Sequence, residues 1–281
     1  MITIIADTTS CLTLEETSRL GIPFLPQYII FGDEQYRDDT ELNSDKFLEK
    51  LKKSPILPKT AAPEPSLYTP IYDEQAKAGN SMIVLCPSTD LSGTFRGASI
   101  AAKDFPDADI HILDTRSIGS GFGELVLFAY QLAKNGNDIQ TIIQSVKTMS
   151  NRENLYFLVD TLEYLYKGGR IGGAKALFGS ILQVKPLLQL INGRIEAVEN
   201  LRTKHKAISH LKKVVYKDCP HDDSAHLTVM HGGNEVEAKQ FADELSSNLG
   251  ISRIPINYLP PAIMVHGGPG LLAVSYFKKE L

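Results

Sequence analysis

The sequence predicts an α/β protein made of two α/β domains, residues 1–152 and 153–281. The first is built on a mostly parallel, helix-covered sheet, and the second carries a β-hairpin. Three observations predict this. Short apolar runs such as "SMIVLC" and "DIHILDT" have the length of buried strands and follow turn-forming residues. Segments of helical length come after them at a regular rhythm, as crossovers between parallel strands require. In the second half, Asn192-Gly193 separates two extended runs, which is the strongest short-range hairpin signal.

In chain order, "ITIIAD" is the first strand. Thr13 and Glu16 have the spacing of a capping box, which opens a short helix to Leu20, and Gly21 is its stop. "NSDKFLEKLKKS" is an amphipathic helix capped by Asn43 or Ser44. "PILPKTAAPEP" is too rich in proline for regular structure and is predicted as a loop. "SMIVLC" is a strand that runs through the hydroxyl-rich turn "PSTDLSGT" into a helix from Phe95 to Phe105. After the strand "DIHILDT" come helices from about Gly121 to Lys134 and from about Asp138 to Ser150.

The second half opens with the strand "NLYFLVDT" and the short helix "LEYLYKGGRIGG", stopped by Gly168 and Gly169. "AKALFGSILQV" is predicted as a further helix. Its residues Leu177, Phe178, Ile181 and Leu182 would form an apolar stripe able to cover a tunnel, touch a bilayer or simply pack in the core. "KPLLQLINGRIEAVENLRT" is the hairpin. "HLTVMHGG", the helix "NEVEAKQFADELSSNLG", "RIPINYL" and "AIMVHGGPG" then restore the α/β rhythm.

Composition narrows the function. The 281 residues carry a net charge of −4, with no Lys/Arg cluster interleaved with aromatics, so nucleic acid is not an expected partner. No apolar run approaches the roughly 18–20 residues of a membrane-spanning helix, and "MITIIADTT" lacks the positive start of a signal peptide; the expected location is the cytoplasm. Cys11, Cys86 and Cys219 are widely spaced and odd in number, which fits reduced thiols.

Most catalytic templates fail on spacing. A nucleophile elbow at Ser92 would need glycine two residues to either side, where the chain has Asp90 and Thr94. The seven histidines include no HExxH pair, so no metal is expected, and no Walker or dinucleotide spacing calls for a cofactor. "GSGFG" fits close packing of a helix on the sheet better than a nucleotide loop. What remains is polar residues in four predicted turns: Thr60, Ser92 with Gly93, Arg170 and His266. Two uses of the Ser92 turn stay open. Ser92 or Thr94 could cap the helix that follows, or Ser92 Oγ with the Gly93 and Thr94 N–H groups could hold an anion.

The segments "ADTTSCL", "KTAAPEP", "PSTDLSGTF", "DTLEYLYKGGRIGGAKALFGSILQVKPLLQL", "NLRTK" and "VHGGPG" occur in this order across nearly the whole chain. Together they resemble the DegV family, bacterial fatty-acid-binding proteins that serve as acyl-carrying subunits of fatty acid kinase. The resemblance implies a non-catalytic lipid-binding protein with a long-chain fatty acid held between the two domains. It also implies that Thr60 and Ser92 donate hydrogen bonds to the carboxylate, that Gly93 adds its N–H, and that His266 stands nearby. Arg170 and Arg202 would lie at the head-group end, for the acyl phosphate or for docking the kinase subunit, and the product would feed phospholipid synthesis. The chain departs from the family pattern at Ala61 and Ala62, where Ser and Gln are usual, and at Gly267, where Thr or Leu commonly follows the histidine. The bottom-up alternative is a free-standing enzyme on a small phosphorylated or carboxylated metabolite, using Ser92, His266 and Arg170.

Overall fold

The computed structural model describes residues 1–179 and 185–279. Strand β1 (Ile2–Asp7) lies between two helical layers, so both of its faces are apolar. Ile4 and Ala6 enter one core and Ile5 the core on the opposite face, as the period of two requires. Helix α1 (Leu14–Leu20) is opened by the Thr13–Glu16 capping box and closed by Gly21 at φ 68°. After β2 (Phe24–Leu25), the strands β3 (Tyr28–Phe31) and β4 (Glu34–Arg37) form a hairpin. Helix α2 (Ser44–Lys53) is capped by the Asn43 side chain, and β5 (Lys59–Ala61) pairs with the other edge of β3. Helix α3 (Pro65–Lys77) leads to β6 (Ser81–Cys86), α4 (Thr94–Ala102) and β7 (Ile110–Asp114). Helices α5 (Ser120–Lys134) and α6 (Ile139–Ser150) complete this half. Its main sheet has the order β2-β1-β6-β7 with every pair parallel.

Strand β8 (Glu153–Leu158) begins a second sheet. Helix α7 (Glu163–Lys167) stops at Gly168, and a 3-10 turn, Gly172–Leu177, follows. The strands β9 (Lys185–Ile191) and β10 (Arg194–Leu201) turn back through Asn192 and Gly193 at φ 52° and 83°, the left-handed pair that a tight hairpin needs. Helix α8 (Lys204–Asp218), β11 (Thr228–His231), α9 (Glu235–Leu249), β12 (Ile256–Tyr258), α10 (Pro261–Gly267) and β13 (Leu272–Phe277) complete the chain. The order is β10-β9-β8-β13-β11-β12, antiparallel except between β11 and β12.

Several local expectations change. The proline-rich segment is not all loop: Lys59–Ala61 is strand, because an edge strand needs only one partner and the prolines flank it. His266 lies on α10 rather than in a turn. "AKALFGSILQV" begins as a 3-10 turn ending at Leu177, and Phe178 is already extended; Ile181 and Leu182 lie outside the described residues. Ser92 and Thr94 do not cap α4 in the usual way: the N-cap is Gly93 and it makes no side-chain cap bond. The glycines of "GSGFG" do serve close packing, since a Cβ on Gly121 would stand 1.8 Å from Glu153 Oε1 and one on Gly123 2.4 Å from Ser10 O.

One apolar core joins the two halves of the sequence. Ile29, Phe31 and Phe47 pack in the same cluster as Phe157, Leu188, Met230 and Met264, so the small β4-β3-β5 sheet and α2 lie over the second sheet. A cavity opens at this junction.

Candidate ligand-binding site

The cavity lies where β1, β6 and β7 end, the position at which open α/β sheets offer loop backbone and helix starts to a ligand. Thr9, Ser92 and Gly119 line it from the loops after those strands, and the opposite wall comes from the second sheet through Leu155, Phe157, Leu190, Met230 and Ala273. Its volume is about 90 Å³, on a scale where one water needs roughly 10–15 Å³, so it is a slot for a thin ligand. Apart from Thr9, Gln27, Thr60, Ser92, Arg170 and His266, every side chain lining it is apolar.

These polar residues form one connected group. Thr60 on β5 shares a 2.8 Å hydrogen bond with Nε2 of His266 on α10. Arg170 lies close enough to His266 for its charge to act on the ring, and its Nε donates to Leu91 O at 3.0 Å, next to Ser92. From the other side, the Cβ position of Gly93 is 3.5 Å from Ala62 Cβ, two residues after Thr60. Ser92, Arg170, His266 and Thr60 thus line one cavity, linked by the Thr60–His266 bond and by the bond from Arg170 to the residue before Ser92. The small Ala62 therefore lies beside the turn that carries Ser92.

His266 is held neutral. Burial, and then the nearby Arg170 charge, push its pKa down to about 4. Its Nδ1 is enclosed without a hydrogen-bond partner, and Gly168 packs so close that a Cβ there would stand 2.3 Å from that atom. With the ring proton on Nε2, that proton points at Thr60 Oγ1. The Thr60 hydroxyl then keeps its own proton for a ligand. Arg170 spends a second donor on Gly168 O at 2.7 Å, leaving three of its five N–H groups.

Sequence reasoning missed the layer beneath. Asp7, at the end of β1, is fully buried and accepts from Gln27 Nε2 at 2.8 Å, Thr94 Oγ1 at 2.7 Å and the Thr9 N–H at 2.9 Å. Thr94 Oγ1 lies 3.0 Å from Ser92 Oγ. Asp38 accepts from Thr8 Oγ1 and from the Gln27 N–H, both at 2.8 Å, and burial raises its pKa to about 7. The available signal was "IADTTS", an apolar strand ending abruptly on a carboxylate, which a core position tolerates only with partners.

Two expected residues lie outside the cavity lining. Gly93 is exposed at the start of α4, and Arg202 is exposed just beyond β10. The hydrogen bond of His266 goes to Thr60, and among the described residues none links it to Ser92, so no serine–histidine nucleophile pair is present. Among those residues there is also no His/Cys/Asp/Glu cluster suited to a metal, and no helix long and apolar enough to cross a membrane.

Fold and site together define an α/β protein with an apolar slot whose polar groups gather around hydroxyls, an uncharged imidazole and one guanidinium. The chain belongs to the DegV family, whose profile, described as an uncharacterised protein family, matches residues 1–279. It is 35% identical over 276 residues to a DegV domain-containing protein of Streptomyces coelicolor, covering 97% of each chain. Among solved structures it resembles DegV from Bacillus subtilis, described as a fatty acid binding protein, with 31% identity and a TM-score of 0.85. It also resembles a DegV family protein from Thermus thermophilus, described for its fatty acid binding, with 28% identity and the same TM-score; each match covers 99% of both chains.

Proposed function

We propose that this chain binds a long-chain fatty acid across the junction of an N-terminal domain, residues 1–152, and a C-terminal domain, residues 153–281. The acyl chain enters the apolar slot and the carboxylate meets Thr60 and Ser92. The observation that carries this reading is the gathering of Thr60, Ser92, Arg170 and His266 on a cavity otherwise lined mostly by apolar side chains. Burying about 14 methylenes at ~0.8 kcal/mol each gives on the order of 11 kcal/mol gross, so the tail supplies the affinity. Hydrogen bonds to a charged group contribute about 1.5–3 kcal/mol each and fix which end faces out. Gly93 offers a backbone N–H beside Ser92, and neutral His266 orients Thr60 without forming an ion pair that would lock the carboxylate in place.

In this reading the protein presents the carboxylate to a separate kinase subunit in the cytoplasm, which forms acyl phosphate for phospholipid synthesis, and no catalytic group is needed in this chain. Exposed Arg202 docks the kinase, while Arg170 holds phosphoryl oxygens with its remaining donors. Tyr166 and Phe178, exposed and stacked with ring centroids 3.9 Å apart, extend the segment around Leu177 into a surface for brief contact with a bilayer.

Native mass spectrometry of protein purified from bacteria tests the binding reading. A co-purified acid of 14–18 carbons is the expected result, where ~0.8 kcal/mol per methylene sets the useful length. Ser92→Ala and Thr60→Ala should each weaken a labelled fatty acid about tenfold or more without unfolding the chain. An empty protein whose variants bind as the wild type does would place the ligand elsewhere.

A further inference from the structure

Ser92 Oγ does not stand alone. Thr94 Oγ1 lies at a junction of three partners: Ser92 Oγ at 3.0 Å, Gln27 Nε2 at 3.0 Å and Asp7 Oδ2 at 2.7 Å. Gln27 Nε2 also donates to Asp7 Oδ2 at 2.8 Å, so both of its amide protons are committed. All four groups except Ser92 are buried. A hydroxyl has one proton to give and two lone pairs to accept with, so the direction of each bond in this chain is determined by its far end.

While Asp7 is ionised, its oxygens only accept. The Thr94 proton then goes to Asp7 as a charge-assisted bond, and Thr94 accepts from Gln27 and from Ser92. Ser92 has spent its proton inward and turns only lone pairs toward the cavity. A carboxylate ligand arriving there meets acceptor against acceptor. With a proton on Asp7 Oδ2, the two hydroxyl bonds reverse while Gln27 goes on donating: Asp7 donates to Thr94, Thr94 donates to Ser92, and the Ser92 proton is free for the ligand. Thr94 accepts two bonds and donates one in both states, so neither leaves a buried group unpaired.

We propose that Asp7 is the positioning residue of this site, acting through Thr94 to set which way Ser92 points its proton, and that binding an anionic carboxylate is coupled to uptake of one proton by the chain. The balance closes without any heavy-atom bond changing. One proton joins Asp7 Oδ2, the Thr94 hydroxyl turns from Asp7 to Ser92, and the Ser92 hydroxyl turns from Thr94 to the ligand. When the ligand arrives as the neutral acid, its own carboxyl proton serves, passing inward to Asp7 and leaving the carboxylate bound to Ser92.

The surroundings hold the proton on this carboxyl more tightly than water would. Burial raises the Asp7 pKa, opposed by bonds from Thr9, Thr94 and Gln27. Among the described residues no cation bonds to it. The titratable groups whose charges interact with it are Asp38, Tyr68 and Cys86, and all three would be disfavoured as anions by an ionised Asp7. Arg170 and His266 line the same cavity, bonded respectively to backbone carbonyls and to Thr60 rather than to Asp7.

This inference rests on the fatty-acid reading, and the test separates the two. Decanoate, a soluble ionised carboxylate, is titrated into the intact protein between pH 6 and 9 by displacement of a fluorescent fatty acid, with folding checked by melting. The wild type should lose up to about tenfold in affinity per pH unit once Asp7 ionises in the free protein, since one proton is linked to each ligand bound. Asp7→Asn, whose amide can donate to Thr94 permanently, should bind with a flat profile. Thr94→Val, which leaves the Ser92 proton free for the ligand at every pH, should bind without slope, and Thr94→Ser should restore the slope, which keeps the test decisive if Asp7→Asn fails to fold. A flat wild-type profile, or an unchanged slope in folded Asp7→Asn or Thr94→Val, would overturn the role of Asp7 and leave fatty-acid binding standing. Failure of the wild type to bind either fatty acid at any pH would overturn both.

Discussion

His266 shows how one buried ring sets the character of the site. An exposed histidine titrates near 6.5, but burial and Arg170 bring this one to about 4, so folding expels its proton between those values. Its contribution to stability is present above about 6.5 and is lost as the pH falls through about 4. Asp38 works in the opposite sense: raised from 3.8 to about 7, it stabilises below 3.8, and that contribution is lost as the pH rises through 7. The two slopes offset each other in the wild type. His266→Gln removes one of them, so its melting temperature relative to wild type should rise by on the order of 5 °C between pH 7 and pH 4. A difference that stays constant with pH, followed by calorimetry, would mean that His266 is already charged in the folded protein.

Helix α10 carries His266 and the turn that ends α7 leads to Arg170, and glycine sets the spacing between the two helices. Gly168 has His266 Nδ1 2.3 Å and Tyr164 O 2.9 Å from where a Cβ would be, so Gly168→Ala must push the helices apart. Overpacking of this kind costs about 1–3 kcal/mol and should also weaken fatty-acid binding about tenfold, because Thr60 loses its oriented partner. Gly169 makes the control. It sits at φ 72° with nothing within 4 Å, so Gly169→Ala meets only backbone strain, about 1–2 kcal/mol, and should leave the affinity intact. Urea midpoints and ligand titration on both variants separate crowding at the imidazole from loss of backbone freedom. The hairpin tip works similarly across the two halves: Ser88 Oγ donates to Gly193 O at 2.6 Å, and the Ser92 N–H in turn bonds to Ser88 O at 2.9 Å.

At the scale of the whole molecule, the cavity exists only because two sheets and a small third one close on it. The β4-β3-β5 sheet brings Thr60, the second sheet supplies the apolar wall, and the loops after β1, β6 and β7 bring the hydroxyls and Asp7. Arg202 stands outside this enclosure, exposed just beyond β10. Arg202→Ala should therefore keep fatty-acid affinity while acyl phosphate formation with a kinase subunit and ATP falls by about tenfold or more, the usual order for losing one well-placed interfacial charge. Arg202→Lys should recover only part of it, since an ammonium lacks the paired donors of a guanidinium. Lost affinity would move Arg202 into the pocket; full activity would return it to the ordinary surface.

The sequence by itself determined what depends on neighbours along the chain. Strands such as Ile2–Asp7 and Ser81–Cys86, the Thr13–Glu16 box, the Asn43 cap and the Asn192-Gly193 turn are local patterns, and each forms where its pattern lies. Strand β5 was not legible, because its partner β3 lies tens of residues away, and the β3–β4 hairpin, though local, is made of short runs that carry little periodicity of their own. The site divides in the same way. Thr60, Ser92, Arg170 and His266 could be picked out as polar residues interrupting structured segments, but only the tertiary structure joined Thr60 to His266 across 206 residues and Thr94 to Asp7 across 87. A buried carboxylate looks like any other aspartate until the chain has closed around it, because its chemistry comes from the lost water and the donors that replace it.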